Sequence, residues 1–215
     1  MRTFITGATG QLGQALQKAI LNQPRFRLVE APRWDITDHT IVQKISTLRP
    51  ELVIHTAAMT NVDGAAQDPD TAFKINAFGA QNIAHACLRC GAEMVHISTN
   101  EVFDGTADAP YPEDAPTNPV NPYGSSKRAG EQMAARYLRN NLYIVRTAWI
   151  YGDGQKFPAK IIAAADKFKE LRVVTDEISN PTYAPDLAEA ILHLVQTRTY
   201  GIYHFTNSGY CSRYD

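Results

Sequence analysis

Residues 3–13 read Thr-Phe-Ile-Thr followed at once by Gly-Ala-Thr-Gly-Gln-Leu-Gly, and this segment constrains the fold more tightly than any other. Thr3 to Thr6 is a short apolar strand, residues 14–21 carry helical spacing, and Gly7, Gly10 and Gly13 stand between them. Glycines remove side chains where a strand turns directly into a helix, and they leave the first amides of that helix open to an anion. The spacing is GxxGxxG rather than GxGxxG, in the strand-turn-helix setting that a dinucleotide pyrophosphate requires. The plainer alternative is a tight turn that holds nothing.

Beyond residue 21 the chain alternates strands with helices, the order of an α/β, doubly wound parallel sheet. The pattern predicts strands over residues 26–30, 52–55, 93–98 and 142–146, and helices over 40–48, 73–90 and 123–140. Between residues 102 and 121 lies a stretch rich in proline and aspartate, too irregular for an internal strand. It reads as a loop beside the strand ends, where open α/β sheets place their ligands. A chain of 215 residues, 44% of them hydrophobic, can bury one large domain or one domain plus a small appendage.

The formal net charge of -1, with no block of five like charges, argues against nucleic acid as a partner. No uninterrupted apolar stretch can span a bilayer, and the first strand begins too close to Met1 to leave room for a secretory leader. A cytoplasmic protein with no membrane partner is the expectation. Cys87 and Cys90 fall within one helical run with no second pair, so packing rather than metal or redox chemistry is expected there. His55, His96 and His204 stand singly in or beside apolar segments, which suits packing or local hydrogen bonds; no metal site is expected.

Chemistry enters with Tyr123-Gly-Ser-Ser-Lys127. Four residues apart on a helix, the phenol and the ammonium share one face. A cation beside a phenol favours the phenolate and lowers a pKa that is ordinarily about 10. Thr99 ends the strand over 93–98, where its hydroxyl can face the same crevice and bind a carbonyl oxygen without carrying charge. Together the three suit the reduction of a bound C=O, which receives hydride on its carbon from a reduced nicotinamide and a proton on its developing alkoxide. The cofactor's phosphate state is less legible. At the end of the second strand Glu30 would favour NADH, whereas Arg33 can pair with the additional phosphate of NADPH and tips the balance slightly that way.

Taken together, the segments GATGQLG (7–13), WDITD (34–38), HTAAMTNVDGAA (55–66), Lys74-Ile75-Asn76, STNEVFDG (98–105), YGSSK (123–127), RTAWIYG (146–152), NPTYAPDLA (180–188) and GIYHFTNSG (201–209) resemble the extended short-chain dehydrogenase/reductase superfamily, and within it the dTDP-4-dehydrorhamnose reductase family. The likeness covers nearly the whole chain. It implies a Rossmann-type domain over residues 1–150, and over 151–215 a partial substrate-binding region with segments that return to the first domain. It also implies reduction of the C4 ketone of dTDP-4-dehydro-6-deoxy-L-mannose to dTDP-L-rhamnose by NADPH or NADH. On that analogy Tyr123 is the proton donor, Lys127 holds the nicotinamide ribose and lowers the Tyr123 pKa, and Thr99 orients the sugar carbonyl. The cofactor would meet Gly7, Gly10, Gln11, Leu12, Gly13, Arg33, Asp35, Ile36, Ala57, Ala58, Thr60 and Asn76. The sugar would meet Thr99, Glu101, Tyr123 and Trp149.

Two features depart from that family. Asn100-Glu101 replaces the reductases' usual Asp-Tyr, and Glu101 is dehydratase-like, while Asn100 cannot exchange a proton as the dehydratase aspartate does. The sequence ends at residues 209–215, where family members continue, so an incomplete sugar pocket is expected. Another nucleotide-sugar epimerase or dehydratase, or a regulatory subunit that binds the dinucleotide without catalysis, remains the alternative. The apolar positions over 76–90 suit either pairing across a homodimer or packing on the sheet.

Overall fold

The computed structural model describes residues 1–153 and 157–215. In chain order its strands are β1 (Arg2–Thr6), β2 (Arg27–Leu28), β3 (Leu52–His55), β4 (Glu93–Thr99), β5 (Leu142–Thr147), β6 (Ile150–Tyr151), β7 (Ile178–Ser179), β8 (Thr182–Tyr183), β9 (Gly201–His204) and β10 (Cys211–Ser212). Six of them form a parallel sheet in the order β2-β1-β3-β4-β5-β9. The short β6 pairs parallel with β8, and β7 pairs antiparallel with β10. The helices are α1 (Gln11–Leu21), α2 (Thr40–Leu48), α3 (Val62–Gln67), α4 (Pro69–Phe73), α5 (Gly79–Cys90), α6 (Pro122–Tyr137), α7 (Phe157–Ala165) and α8 (Ala184–Thr197), with a π turn at Lys74–Phe78 between α4 and α5.

Both faces of the sheet are covered, which is why its central strands are apolar throughout rather than alternating. Leu16 and Ile20 of α1 and Ile191 and Leu192 of α8 pack on Ile5, Leu52, Ile54, Val95 and Tyr143. On the other face Ile41 and Ile45 of α2, Ile83 and Cys87 of α5 and Ala134 of α6 pack on Phe4, Val53, Met94 and Ile144. Each fully buried aliphatic side chain contributes about 1.5–3 kcal/mol. Ile83, Ala84, Ala86 and Cys87 of α5 are buried against the sheet, α2 and α6, while Leu88 and the preceding Phe78 are exposed. Among the described residues no helix is long and apolar enough to cross a membrane.

Several boundaries differ from the sequence expectations. The strand expected over 26–30 shrinks to Arg27–Leu28, because the Phe26 N–H turns back to the Gln23 carbonyl at 3.0 Å instead of joining the ladder. The helix expected over 73–90 begins earlier, at Pro69, where Asp68 accepts from the Thr71 N–H at 3.0 Å, and it widens into the π turn at Asn76 before continuing as α5. The helix expected over 123–140 runs from Pro122 to Tyr137, with Asn121 accepting from the Gly124 N–H at 2.7 Å. The loop after β4 is organised by Asp104, which accepts from the Tyr111 hydroxyl at 2.6 Å, the Thr106 hydroxyl at 2.8 Å and Asn118 Nδ2 at 3.0 Å. Its carboxyl is held well below the usual range by these bonds, that from Tyr111 first.

The register aligns Thr6, His55 and His96 in one row across β1, β3 and β4. His55 Nδ1 shares a 2.7 Å hydrogen bond with the Thr6 hydroxyl, and the two imidazoles stack with centroids 5.4 Å apart. Neither ring nitrogen of the fully buried His96 has a partner. Burial pushes His55 down to about 3, with the Lys127 charge adding to the effect, and drives His96 well below its ordinary 6.5 for the same reasons. Both rings are therefore neutral in the folded chain. Their folded pKa values lie below the unfolded value, so the associated stability is complete above about pH 6.5 and is lost as the pH falls towards 3. Stability is expected to drop by about 2 kcal/mol from His55 alone between neutrality and about pH 5, with His96 acting in the same direction. His96→Leu, which removes one of the two groups and leaves no orphaned ring nitrogen, should flatten that decline in urea titrations. An unchanged slope would show that His96 takes no part.

Candidate active site

A cleft of about 1420 Å³ opens over the C-terminal ends of β1, β3 and β4, where the strand order reverses. Such a crevice is where open α/β sheets bind ligands, and it exceeds the roughly 300–1,000 Å³ of a pocket for one small molecule. Its floor is the turn from β1 into α1. Gly10 donates to the Gly7 carbonyl at 2.8 Å, and the first turn of α1 has no side-chain cap. Gly7 adopts φ +69°, and a Cβ at Gly13 would lie 2.3 Å from the Gly7 carbonyl oxygen. The turn therefore demands glycine at both positions and presents bare amides to the cleft. These features fit the pyrophosphate of a dinucleotide.

The structure brings Gly7, Gly10, Gln11, Leu12, Gly13, Arg33, Asp35, Ile36, Ala57, Ala58, Thr60, Thr99, Glu101, Tyr123, Lys127 and Trp149 onto this cleft. Glu30 is exposed and lies outside the lining, whereas Arg33 belongs to it. The Asp35 carboxylate accepts from the Thr37 N–H at 2.8 Å, and that bond holds it below its ordinary pKa. Asn76 is the exception. Its Oδ1 accepts from the Met59 N–H at 2.8 Å, and its Nδ2 donates to the Met59 carbonyl at 3.0 Å and to the Ser126 hydroxyl at 2.9 Å. The buried amide thus shapes the wall after β3 and ties it to α6 instead of reaching the cleft.

Tyr123 and Lys127 occupy one face of α6, and Thr99 stands opposite at the end of β4. Thr99 accepts from the Glu101 N–H at 3.2 Å and donates to Asn100 Oδ1 at 3.3 Å. Lys127 is buried and donates to the Ile97 carbonyl at 2.6 Å. Burial pushes Lys127 down to about 8, with Glu131 opposing. Burial pushes the Tyr123 phenol up to about 12, with the Thr99 hydroxyl opposing and the Glu101 charge reinforcing. The phenol consequently holds its proton at neutral pH, the state a proton donor needs.

Glu101 is braced by Asn121, whose Nδ2 donates to Glu101 Oε2 at 2.8 Å while its Oδ1 caps α6. Trp149 holds φ +41°, a left-handed conformation costing a bulky residue of the order of 1–3 kcal/mol. The Arg213 guanidinium lies 3.7 Å from the Trp149 ring centroid and donates to Glu177 Oε2 at 3.1 Å. Sequence reasoning missed Arg213 and also Thr147, whose hydroxyl is buried without a partner and stands beside Thr99 in the β4-β5 register. The signal for Thr147 was available: it ends β5 as Thr99 ends β4.

A family model described as the RmlD substrate binding domain matches residues 1–215. The spore coat polysaccharide biosynthesis protein SpsK of Bacillus subtilis is 40% identical over 100% of this chain and 76% of its own length. A crystal structure of a dTDP-4-dehydrorhamnose reductase from Clostridium acetobutylicum superposes with a TM-score of 0.94 at 40% identity, covering 100% of this chain and 77% of that one. The dTDP-4-dehydrorhamnose reductase from Bacillus anthracis, solved in complex with NADP, gives a TM-score of 0.90 at 42% identity, covering 98% and 76%. The chain thus spans about three quarters of the length of each of these relatives.

One contact sets the height of Tyr123 above Thr99. A Cβ at Gly124 would lie 2.0 Å from the Glu101 carbonyl oxygen, so the start of α6 rests directly on backbone. Gly124→Ala should therefore cost about 1–3 kcal/mol of stability, read as a lower urea midpoint. A midpoint equal to that of the wild type would show that α6 has room to move there.

Proposed function

Since the chain belongs to the RmlD substrate binding domain family, we propose that it is a cytoplasmic NAD(P)H-dependent reductase that converts the C4 ketone of dTDP-4-dehydro-6-deoxy-L-mannose into the alcohol of dTDP-L-rhamnose. The observation that carries this is the convergence of Thr99, Tyr123 and Lys127 on one wall of a cleft floored by the Gly7–Gly13 turn. NADPH, when bound, supplies the hydride. The Gly7–Gly13 turn and the uncapped start of α1 would receive its pyrophosphate. Lys127 would hold its nicotinamide ribose.

Thr99 orients the ketone by turning its one hydroxyl proton from Asn100 Oδ1 to the substrate oxygen. Tyr123 donates the proton as negative charge develops on that oxygen, because an alkoxide is a far stronger base than a phenolate. Lys127 offsets the phenolate that remains. Glu101 and the Trp149 ring bound the space left for the sugar. For the cofactor's phosphate state, the place of Arg33 on the lining and of Glu30 off it supports NADPH over NADH.

The deciding assay follows NADPH and NADH oxidation with and without dTDP-4-dehydro-6-deoxy-L-mannose and identifies the sugar product. Ketone-dependent oxidation yielding dTDP-L-rhamnose is expected; folded protein that binds NADPH yet leaves the ketone unreduced would overturn the assignment. Tyr123→Phe should cut kcat by about 10²- to 10⁴-fold while leaving NADPH affinity in place. Arg33→Ala should raise the KM for NADPH about tenfold and leave that for NADH unchanged, the expected loss for one charge-assisted pair. Equal KM changes for both cofactors would remove Arg33 from the phosphate site.

A further inference from the structure

Behind the Tyr123–Lys127 face lies a buried charged cluster to which the reduction assigns no role. Glu131 follows Lys127 by four residues on α6, one turn further along the same face, and is 5% exposed. Its Oε1 accepts from the Ser98 hydroxyl at 2.5 Å and from Arg146 Nε at 3.0 Å, and its Oε2 accepts from Arg146 Nη2 at 2.8 Å. Arg146 is equally buried, and its Nη1 continues to the Glu113 carbonyl at 3.2 Å and to His204 Nε2 at 3.4 Å, on the loop before α6 and on β9. Two successive turns of α6 are thereby fastened to the sheet, Lys127 on the Ile97 carbonyl and Glu131 on the neighbouring Ser98 and on Arg146.

We propose that Glu131 is a positioning residue for proton transfer: through Arg146 and Ser98 it seats the Lys127 ammonium beside Tyr123 and supplies the buried carboxylate that compensates it. The other groups facing this region are the neutral His55 of β3 and His96 of β4, the Tyr123 phenol, Arg146 of β5, and Glu101, which is braced by Asn121 near the phenol. Asp63 of α3, Asp70 of α4 and Lys74 of the π turn are exposed, and His85 of α5 stacks on Tyr137. Arg146 pairs directly with Glu131 at 2.8 Å, and Lys127 lies one turn of α6 earlier, anchored on the neighbouring Ile97 carbonyl. Glu131 raises Lys127 against the burial that lowers it.

The inference rests on the role proposed for Lys127 in holding the cofactor, so its test reads NADPH affinity, by fluorescence, from about pH 6 to about pH 10. Wild-type affinity is expected to weaken above about pH 8 as Lys127 loses its proton. Glu131→Gln should move that limb about one unit lower, and Glu131→Asp, which keeps the charge, should restore it. A folded Glu131→Gln with an unmoved limb overturns the proposal, and so does a wild type with no limb up to about pH 10. Should Glu131→Gln fail to fold, Ser98→Ala, which removes one bond holding Glu131 and leaves every charge in place, must move the limb lower; an unmoved limb is again fatal. Binding needs no ketone, so a chain that shows these shifts but fails to turn over refutes the reductase assignment alone.

Discussion

Charge buried between α6 and the sheet is the constraint on which the site depends. An isolated ammonium or carboxylate taken out of water costs several kcal/mol, and removing one partner of a buried pair typically costs about 3–5 kcal/mol. The interface nevertheless buries Lys127, Glu131 and Arg146 together. Each of the three has a partner at hydrogen-bond distance, and those partners lie on β4, on β5 and in the loop before α6. The helix has few other positions that satisfy them. That is how a helix can carry a phenol to a fixed height above a strand end, a precision that apolar packing alone does not impose.

The same burial decides the state of the phenol. In water a neighbouring ammonium would draw Tyr123 towards phenolate, but here desolvation penalises the anion more than nearby groups favour it. A protonated phenol at rest suits reduction, in which the proton leaves only as charge builds on the substrate oxygen. Cofactor binding adds charge to the same cleft, so the balance belongs to the chain's own residues before anything enters.

Much of this was legible in the residues. Strand, glycine turn and helix could be read at 3–21 because glycine spacing and apolar periodicity are local signals, and the parallel order followed from alternation. Features that stayed hidden depended on contacts distant in sequence. The family resemblance assigns Asn76 to the cofactor, and its amide bonds to Met59 and Ser126 could be read from no local pattern. Arg213 reaches Trp149 across more than sixty positions of chain, and no spacing rule announces such a stack. The start of α4 is different in kind: Asp68-Pro69 is a local cap signal that the expected helix over 73–90 leaves out.

The Asn100-Glu101 pair shows why a site must be argued from partners as well as from motifs. Glu101 alone suggests the acid-base work of an elimination, which needs one group to take a proton and another to give one. Asn100 can do neither, and its Oδ1 accepts from the Thr99 hydroxyl. Glu101 Oε2 is held by the same Asn121 that caps α6. A carboxylate braced by the cap of the helix bearing Tyr123 is placed to hold that helix end, and its charge adds to the burial that raises the phenol. Neither effect supplies the second acid that elimination requires.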